Sequence, residues 1–186
     1  LGGFSFGGHV AAEMAHQLRS DGDEIDALFL IEAYGPGARC GRLCWLARYT
    51  CNFLRLPMSR KALYFVEKAR WFRQLFSNWW TVARKVGEDH EKLSSDLHAQ
   101  MEAASTYQPK SHREAMLLLR AQRPPLSAPL DPLAGWKGFV DEQAVRLDIV
   151  PGDHYTIFDE PNCQTMAASL NNYLGSRQAA KERSEQ

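Results

Sequence analysis

This 186-residue chain lacks an excess of charge of either sign, because its 22 Lys and Arg residues balance 22 Asp and Glu residues. Domains that bind nucleic acid usually present a strongly basic surface, so we expect no nucleic-acid partner. Long apolar runs are lacking as well, and none approaches the roughly 18 residues of a membrane-spanning helix. The sequence therefore predicts no transmembrane segment.

Cysteine is scarce, and the spacing of the 4 residues matches no zinc-binding signature. No histidine lies at ligand spacing from them, so no metal site is predicted. Isolated cysteines of this kind are typical of reduced thiols in a cytosolic protein, and we expect a cytoplasmic location. Apolar residues, by contrast, make up 45% of the chain, which is enough for the packed core of one domain.

The chain begins with a motif that carries chemistry, Gly3-Phe4-Ser5-Phe6-Gly7. The pattern G-x-S-x-G is typical of the nucleophile elbow of α/β-hydrolases, a sharp turn between a strand and a helix that exposes the serine. Small residues at positions 3 and 7 let the strand and the helix pass close together. Few residues precede Ser5, and the first is Leu1, not Met, so we expect this chain to be the C-terminal portion of a larger hydrolase, with the N-terminal strands of the sheet missing.

Hydrophobic patterns after the elbow alternate between helix and strand. Residues 10–18 carry apolar side chains at the spacing of one helix face. Residues 27–31 form a short, continuous apolar run that is typical of a parallel strand buried on both faces. Two further strands are predicted at 115–119 and 144–150. Alternating strands and helices indicate an α/β fold, with a parallel sheet and helices on both faces.

A long segment between the second and third predicted strands has no strand pattern. Residues from about 38 to 106 are helical in pattern, and an insertion of this length predicts a lid over the carboxyl ends of the strands, where active sites of this architecture lie. A closing helix is expected from Pro161 to Gly175. The domain is thus predicted over residues 1–175, followed by a frayed polar tail at 176–186.

The candidate catalytic residues follow from what a serine nucleophile needs. A histidine must remove the serine proton, and a carboxylate must orient that histidine. In α/β-hydrolases these groups occur in the order serine, acid, histidine. Ser5 is the candidate nucleophile, and His154, in the loop after the last predicted strand, is the candidate base. Two acids compete: Glu32 ends the strand after the elbow helix, whereas Asp131 follows the next strand, in a turn and short helix expected at 131–136.

The oxyanion hole requires two hydrogen-bond donors. One is expected from the backbone N–H of Phe6, the residue after the nucleophile. The other is expected from a loop after an early strand that this chain does not contain. We therefore expect the chain on its own to be poorly folded and inactive, and its parent protein to be the enzyme.

Residues 1–175 resemble the thioesterase domains that terminate nonribosomal peptide and polyketide synthases. The matching segments follow the family's order: Gly3 to Ala15, Leu30-Ile31-Glu32-Ala33-Tyr34, Gly135-Trp136, Val150-Pro151-Gly152-Asp153-His154 and Glu160-Pro161. In that family the triad acid lies in a hydrophobic-Asp-small-Tyr run after the elbow helix. The resemblance therefore implies that Glu32 is the acid, although the family has Asp there. Glutamate is one methylene longer and serves as triad acid in other hydrolases.

The resemblance also implies a substrate and a partner. The lid would form an acyl-binding tunnel and help to dock an acyl or peptidyl carrier protein, whose phosphopantetheine arm delivers the thioester. The chain would hold no cofactor of its own. Water, or an internal hydroxyl or amine, would then release the acyl group from Ser5. The aromatic stripe from Trp71 to Trp80 fits either a tunnel lining or the packing face of a lid helix.

Two other functions are compatible with the sequence. One is a free-standing esterase or lipase of the same fold, which would lose its activity when Asp131 is substituted but not when Glu32 is. The other function is that of a noncatalytic, truncated remnant, which would only pack against or bind a partner. It is favoured by the Glu at the Asp position and by the small number of residues before the elbow.

Overall fold

Three strands in the sheet of this computed structural model coincide with the predicted apolar runs. The fourth is formed by the residues just before Ser5, which we expected to be too few for a strand. The structure describes residues 1–38, 42–62, 64–65, 99, 102–103, 106–111 and 115–184. Within them, a 4-stranded parallel sheet has the order β1-β2-β3-β4. The strands are β1 (Gly2–Phe4), β2 (Leu28–Ile31), β3 (Met116–Arg123) and β4 (Val145–Asp153). The predicted α/β fold with a parallel sheet is confirmed.

Helices cover both faces of this sheet. The α-helices with described bounds are α1 (Phe6–Ser20), α2 (Arg42–Arg55) and α3 (Asn162–Ser184). Successive side chains of a strand point to opposite faces, so Leu118 packs in the cluster that contains the alanines of α1, and Leu117 packs in the cluster that contains Met166 and Tyr173 of α3. None of the helices in the described part of the chain is long and apolar enough to cross a membrane.

Helix α2 opens the predicted insertion and is fixed to the loop after β3. Asn52 Nδ2 donates to the carbonyls of Leu126 and Ala128 at 2.8 and 3.1 Å, and Arg48 Nη1 donates to the Ala38 carbonyl at 2.6 Å. Residues 58–62, 64–65, 99, 102–103 and 106 are also helical. The remainder of the predicted insertion, including the stripe from Trp71 to Trp80, lies outside the described residues.

The closing helix is longer than the sequence predicted. We expected it to stop at Gly175 and residues 176–186 to fray, but α3 continues through Gly175 to Ser184, so that prediction is wrong. A glycine inside a helix costs only about 1 kcal/mol. Beyond it, Arg177 Nε donates to the Asp26 carbonyl at 3.0 Å, and Lys181 Nζ donates to Asp26 Oδ1 at 3.0 Å. These bonds tie the last turns to the loop before β2.

The short helix expected at 131–136 is also wrong, because this segment forms tight turns. The N–H of Ala134 donates to the carbonyl of Asp131 at 3.2 Å, and that of Trp136 donates to the carbonyl of Leu133 at 2.9 Å. Ala134 and Gly135 have φ values of 54° and 88°. Those left-handed conformations do not continue a right-handed helix.

Candidate active site

Ser5 occupies the sharp turn between β1 and α1 that the G-x-S-x-G motif predicts. Its φ of 52° and ψ of −120° lie outside the favoured regions for a residue with a side chain, a strain of the order of 1–3 kcal/mol that is typical of functional sites. A Cβ atom on Gly3 would overlap the carbonyl of Gly7, whereas one on Gly7 would meet no atom within 4 Å. Steric crowding therefore requires glycine at position 3 but not at position 7.

The backbone around Ser5 is fixed to the neighbouring strand. Its N–H donates to the Ile31 carbonyl at 2.9 Å, which continues the β1–β2 ladder by one residue. Phe6 is the first residue of α1, and N–H groups at this end of a helix have no carbonyl acceptor within the helix. The positive end of the helix dipole lies at the same place. The Phe6 N–H can therefore bind a developing negative charge beside Ser5.

Glu32 lies directly after β2 with a φ of 48°, and its side chain is buried, with 0% exposure. Its backbone N–H donates to the Leu119 carbonyl of β3 at 2.9 Å. Its carboxylate Oε1 accepts a short hydrogen bond of 2.7 Å from the N–H of Ala121. The other oxygen, Oε2, lies 3.4 Å from His154 Nδ1 and 3.2 Å from the hydroxyl of Tyr34. The carboxylate is thus held between β3 and the imidazole.

His154 lies in the loop after β4, with 27% of its side chain exposed. Its ring lies 4.9 Å, between centroids, from the ring of Phe4, the residue before Ser5. His154 thus reaches back across the sheet from β4 to β1. Among the described residues no hydrogen bond joins it to the Ser5 hydroxyl. Such bonds are often long in unliganded enzymes and tighten when substrate binds.

The loop that carries His154 is ordered by its neighbours in the chain. Asp153 Oδ1 accepts from the N–H groups of Tyr155 and Thr156, each at 3.1 Å, and from Thr156 Oγ1 at 2.8 Å. Asn162 Nδ2, at the start of α3, donates to the Thr156 carbonyl at 2.9 Å. Gly152 has a φ of 101°, which favours glycine. These contacts set the direction of the loop and hence of the imidazole.

The protonation of Asp153 reflects the same contacts. Its partial burial would raise the pKa of its carboxyl group, but the hydrogen bonds from Thr156 and Tyr155 and the charge of Arg123 outweigh that effect and lower the pKa. Arg123 Nη2, at the end of β3, lies 3.2 Å from Asp153 Oδ2. Asp153 is therefore ionised at neutral pH.

The two candidate acids have different surroundings. Both carboxylate oxygens of Asp131 accept from the Gly135 N–H, at 3.2 and 3.0 Å, and close the turn after β3. Of the two, the structure brings Glu32 to His154, whereas Asp131 holds the loop that contains Trp136. That tryptophan is 1% exposed, and its Nε1 donates to the Ala33 carbonyl at 2.9 Å.

Sequence reasoning missed the groups that hold the acid and the histidine loop. Ala121 and Thr156 have no place in the G-x-S-x-G, Glu32 or His154 patterns, and Tyr34 was assigned no role within the Glu32 pattern. Only Tyr34 could have been found, because it stands two residues after Glu32 within the motif that carries the resemblance.

Among the residues that the structure describes, no group of three or more His, Cys, Asp or Glu side chains is placed to hold a metal ion.

The fold and the elbow define an α/β-hydrolase, and comparison with known proteins gives the family. The thioesterase domain model matches residues 1–170, and the chain belongs to that family. No curated protein matches it.

Solved structures share this fold. The NocB thioesterase domain from the nocardicin cluster is 26% identical over 94% of this chain, with a TM-score of 0.53. ClbQ from the colibactin nonribosomal peptide and polyketide synthase pathway is 18% identical, over 96% of this chain and 69% of its own, with a TM-score of 0.57. Human thioesterase 2 is 15% identical, over 95% of this chain and 72% of its own, with a TM-score of 0.55. The chain spans 64% of the NocB domain, slightly less than two thirds of its length.

Proposed function

We propose that this chain carries the catalytic triad of a serine thioesterase, with Ser5 as nucleophile, His154 as base and Glu32 as acid. The observation that carries the proposal is the contact of 3.4 Å between His154 Nδ1 and the buried Glu32 carboxylate, beside a strained serine elbow. A carboxylate at Nδ1 fixes the tautomer whose other nitrogen, Nε2, can accept the serine proton. The family of the chain supports the same reaction class.

The reaction has two steps. In the first, His154 Nε2 takes the Ser5 proton while Ser5 Oγ bonds to the thioester carbonyl carbon, and the N–H of Phe6 binds the resulting oxyanion. The carbon–sulfur bond then breaks, the thiol leaves with the proton from His154, and an acyl-Ser5 ester remains. In the second step water, or a hydroxyl or amine within the acyl chain, gives a proton to His154 and attacks the ester carbon. The bond between that carbon and Ser5 Oγ then breaks, and His154 returns the proton to Ser5. The products are a free acid or a macrocycle.

The substrate we propose is an acyl group on the phosphopantetheine arm of a carrier protein. The resemblance to synthase thioesterases supports this choice, as does the similarity of fold to the NocB domain and to ClbQ. His154 carries every proton in the scheme while Glu32 orients it, so we propose that the chain needs no cofactor of its own. We propose a cytoplasmic location for the protein, as its cysteine pattern predicts.

The position of α2 supports a lid over the site. Its Asn52 is bonded to the loop that leaves the carboxyl end of β3, the same edge of the sheet at which Glu32 and His154 lie. We propose that the insertion at about 38–106 covers this edge and forms the acyl-binding tunnel.

The test is acylation of Ser5 by a fluorophosphonate probe, followed by intact mass. The NocB domain forms a covalent complex with a fluorophosphonate nocardicin G analog, which makes this reagent class a suitable choice. The protein is expressed from its complete reading frame, beside residues 1–186 alone. We expect labelling that Ser5→Ala abolishes. Absence of labelling in a folded protein would contradict the proposal and favour a noncatalytic binding module.

The same assay separates the two acids. Glu32→Gln should slow acylation by about 10³–10⁴-fold, the effect of losing a triad acid. Asp131→Asn should leave the rate near that of the wild type, because its carboxylate is bonded to Gly135. The reverse result would favour an ordinary esterase with Asp131 as its acid. Labelling by the complete protein but not by residues 1–186 would agree with the expectation that this segment alone is inactive.

A further inference from the structure

The carboxylate of Glu32 is more tightly surrounded than orienting a histidine alone requires. Its side chain is fully buried, so its oxygens need hydrogen-bond donors in place of water. Oε1 has the Ala121 N–H at 2.7 Å, and Oε2 faces His154 Nδ1 at 3.4 Å. A further donor, the hydroxyl of Tyr34, reaches Oε2 at 3.2 Å.

Tyr34 is itself held in place. Its carbonyl lies 2.9 Å from Nε2 of His9, on helix α1, and the next residue, Gly35, donates its N–H to the Ala134 carbonyl at 2.9 Å. Burial of the ring, together with the nearby Glu32 charge, raises the pKa of Tyr34. The phenol therefore keeps its proton and acts as a donor throughout the neutral range.

A glutamate needs this extra donor more than an aspartate would. The additional methylene adds one rotatable bond between the backbone and the carboxylate. A single bond from Ala121 fixes Oε1 but leaves the carboxylate plane free to rotate about it. A donor on Oε2 removes that rotation and keeps Oε2 toward the imidazole.

We propose that Tyr34 is a positioning residue that acts through Glu32: its hydroxyl holds the carboxylate in the orientation that presents Oε2 to His154. This inference rests on the proposed function, because it assigns Tyr34 a role only if Glu32 and His154 activate Ser5.

The test is a double-mutant cycle on the second-order rate of Ser5 acylation by a fluorophosphonate, in the protein expressed from its complete reading frame. Tyr34→Phe removes one oxygen atom and should slow acylation about tenfold, since hydrogen bonds to charged groups are the stronger ones. Combined with Glu32→Gln, the same change should slow acylation no further, because the charge that it orients is already gone. Tyr107→Phe is the matched control: its hydroxyl donates to Glu13 Oε2 at 2.9 Å on helix α1, and its loss should leave the rate unchanged.

Two results would overturn the inference while leaving the proposed function intact. One is a Tyr34→Phe protein that is acylated at the wild-type rate; the other is a cycle in which the two effects multiply, as for independent structural defects. Failure of the proposed function is distinct, since wild-type protein would then either not label at Ser5 or label at a rate that Glu32→Gln leaves unchanged.

A second measurement serves if Tyr34→Phe does not fold. The imidazole N–H proton resonance of His154 is compared in wild-type protein and in protein with 3-fluorotyrosine at position 34, which keeps the ring and strengthens the donor. A positioning role shifts this resonance. An unchanged resonance would reduce Tyr34 to a packing role.

Discussion

Replacing Gly152 with alanine should disturb the candidate base without touching it. Gly152 has a φ of 101°, and a Cβ atom there would lie 2.8 Å from Asn162 Nδ2 and 3.1 Å from Thr156 Oγ1. Both of these groups hold the histidine loop. The substitution therefore acts in two ways: it forces an alanine into a conformation suited to glycine, and it pushes on the hydrogen bonds that direct His154.

The magnitude follows from these two effects. A left-handed conformation costs a residue with a side chain about 1–2 kcal/mol. Displacing Asn162 and Thr156 weakens two hydrogen bonds, each with a net contribution of about 0.5–1.5 kcal/mol. We expect Gly152→Ala to lower the free energy of unfolding by about 2–4 kcal/mol. A shift of the imidazole by a fraction of an ångström should also slow Ser5 acylation by about 10–100-fold.

The assay combines chemical denaturation with fluorophosphonate labelling of Ser5. The matched control is Gly22→Ala: Gly22 follows α1 with a φ of 94°, and a Cβ atom there meets nothing within 4 Å. Gly22→Ala should show the backbone cost alone, about 1–2 kcal/mol, with normal labelling. If Gly152→Ala matched Gly22→Ala in both stability and labelling rate, the argument that this loop directs His154 would be refuted.

Three further predictions concern single contacts. Trp136→Phe should lower the free energy of unfolding by about 1–3 kcal/mol, because the buried Ala33 carbonyl loses its donor; denaturant titration measures this, and an unchanged midpoint would contradict it. Asp153→Asn should destabilise the protein at pH 6 but progressively less as the pH falls below about 4, because the wild-type pKa is lowered and the stability from the ionised carboxylate is lost as the pH falls through it. Glu32→Asp should slow Ser5 acylation about tenfold or more, because the shorter side chain withdraws from the Ala121 N–H; faster acylation would show that the site prefers the family residue.

The candidate site could be predicted in outline because its main residues belong to local patterns. Ser5 stands in a motif that itself dictates a sharp turn, and His154 follows the last apolar run. Glu32 ends the run of residues 27–31, and the carboxyl ends of parallel strands meet at one edge of a sheet. Chain order left Glu32 and Asp131 as alternatives, and it was the resemblance to synthase thioesterases that implied Glu32.

Other features depend on contacts that the sequence does not display. Gly175 marks a helix end by local preference, but Arg177 and Lys181 bond to Asp26, far away in the chain, and the helix continues. The segment at 131–136 turns instead of forming a helix because Ala134 and Gly135 take left-handed conformations. At Gly175 the tertiary hydrogen bonds outweigh a local preference that is worth about 1 kcal/mol or less.

The position of the Glu32 carboxylate beside His154 follows from the different lengths of β2 and β3. Strand β2 ends at Ile31, opposite Leu119, while β3 continues to Arg123. Glu32 still donates its N–H to the Leu119 carbonyl, but its φ of 48° turns the chain away from β3. The next donor on this edge of β3, the Ala121 N–H, therefore has no β2 carbonyl to bind, and it binds the Glu32 carboxylate instead. A side chain that takes the place of a missing strand must be long enough to reach back to β3. Glutamate meets that requirement, and the same bond draws its second oxygen toward His154.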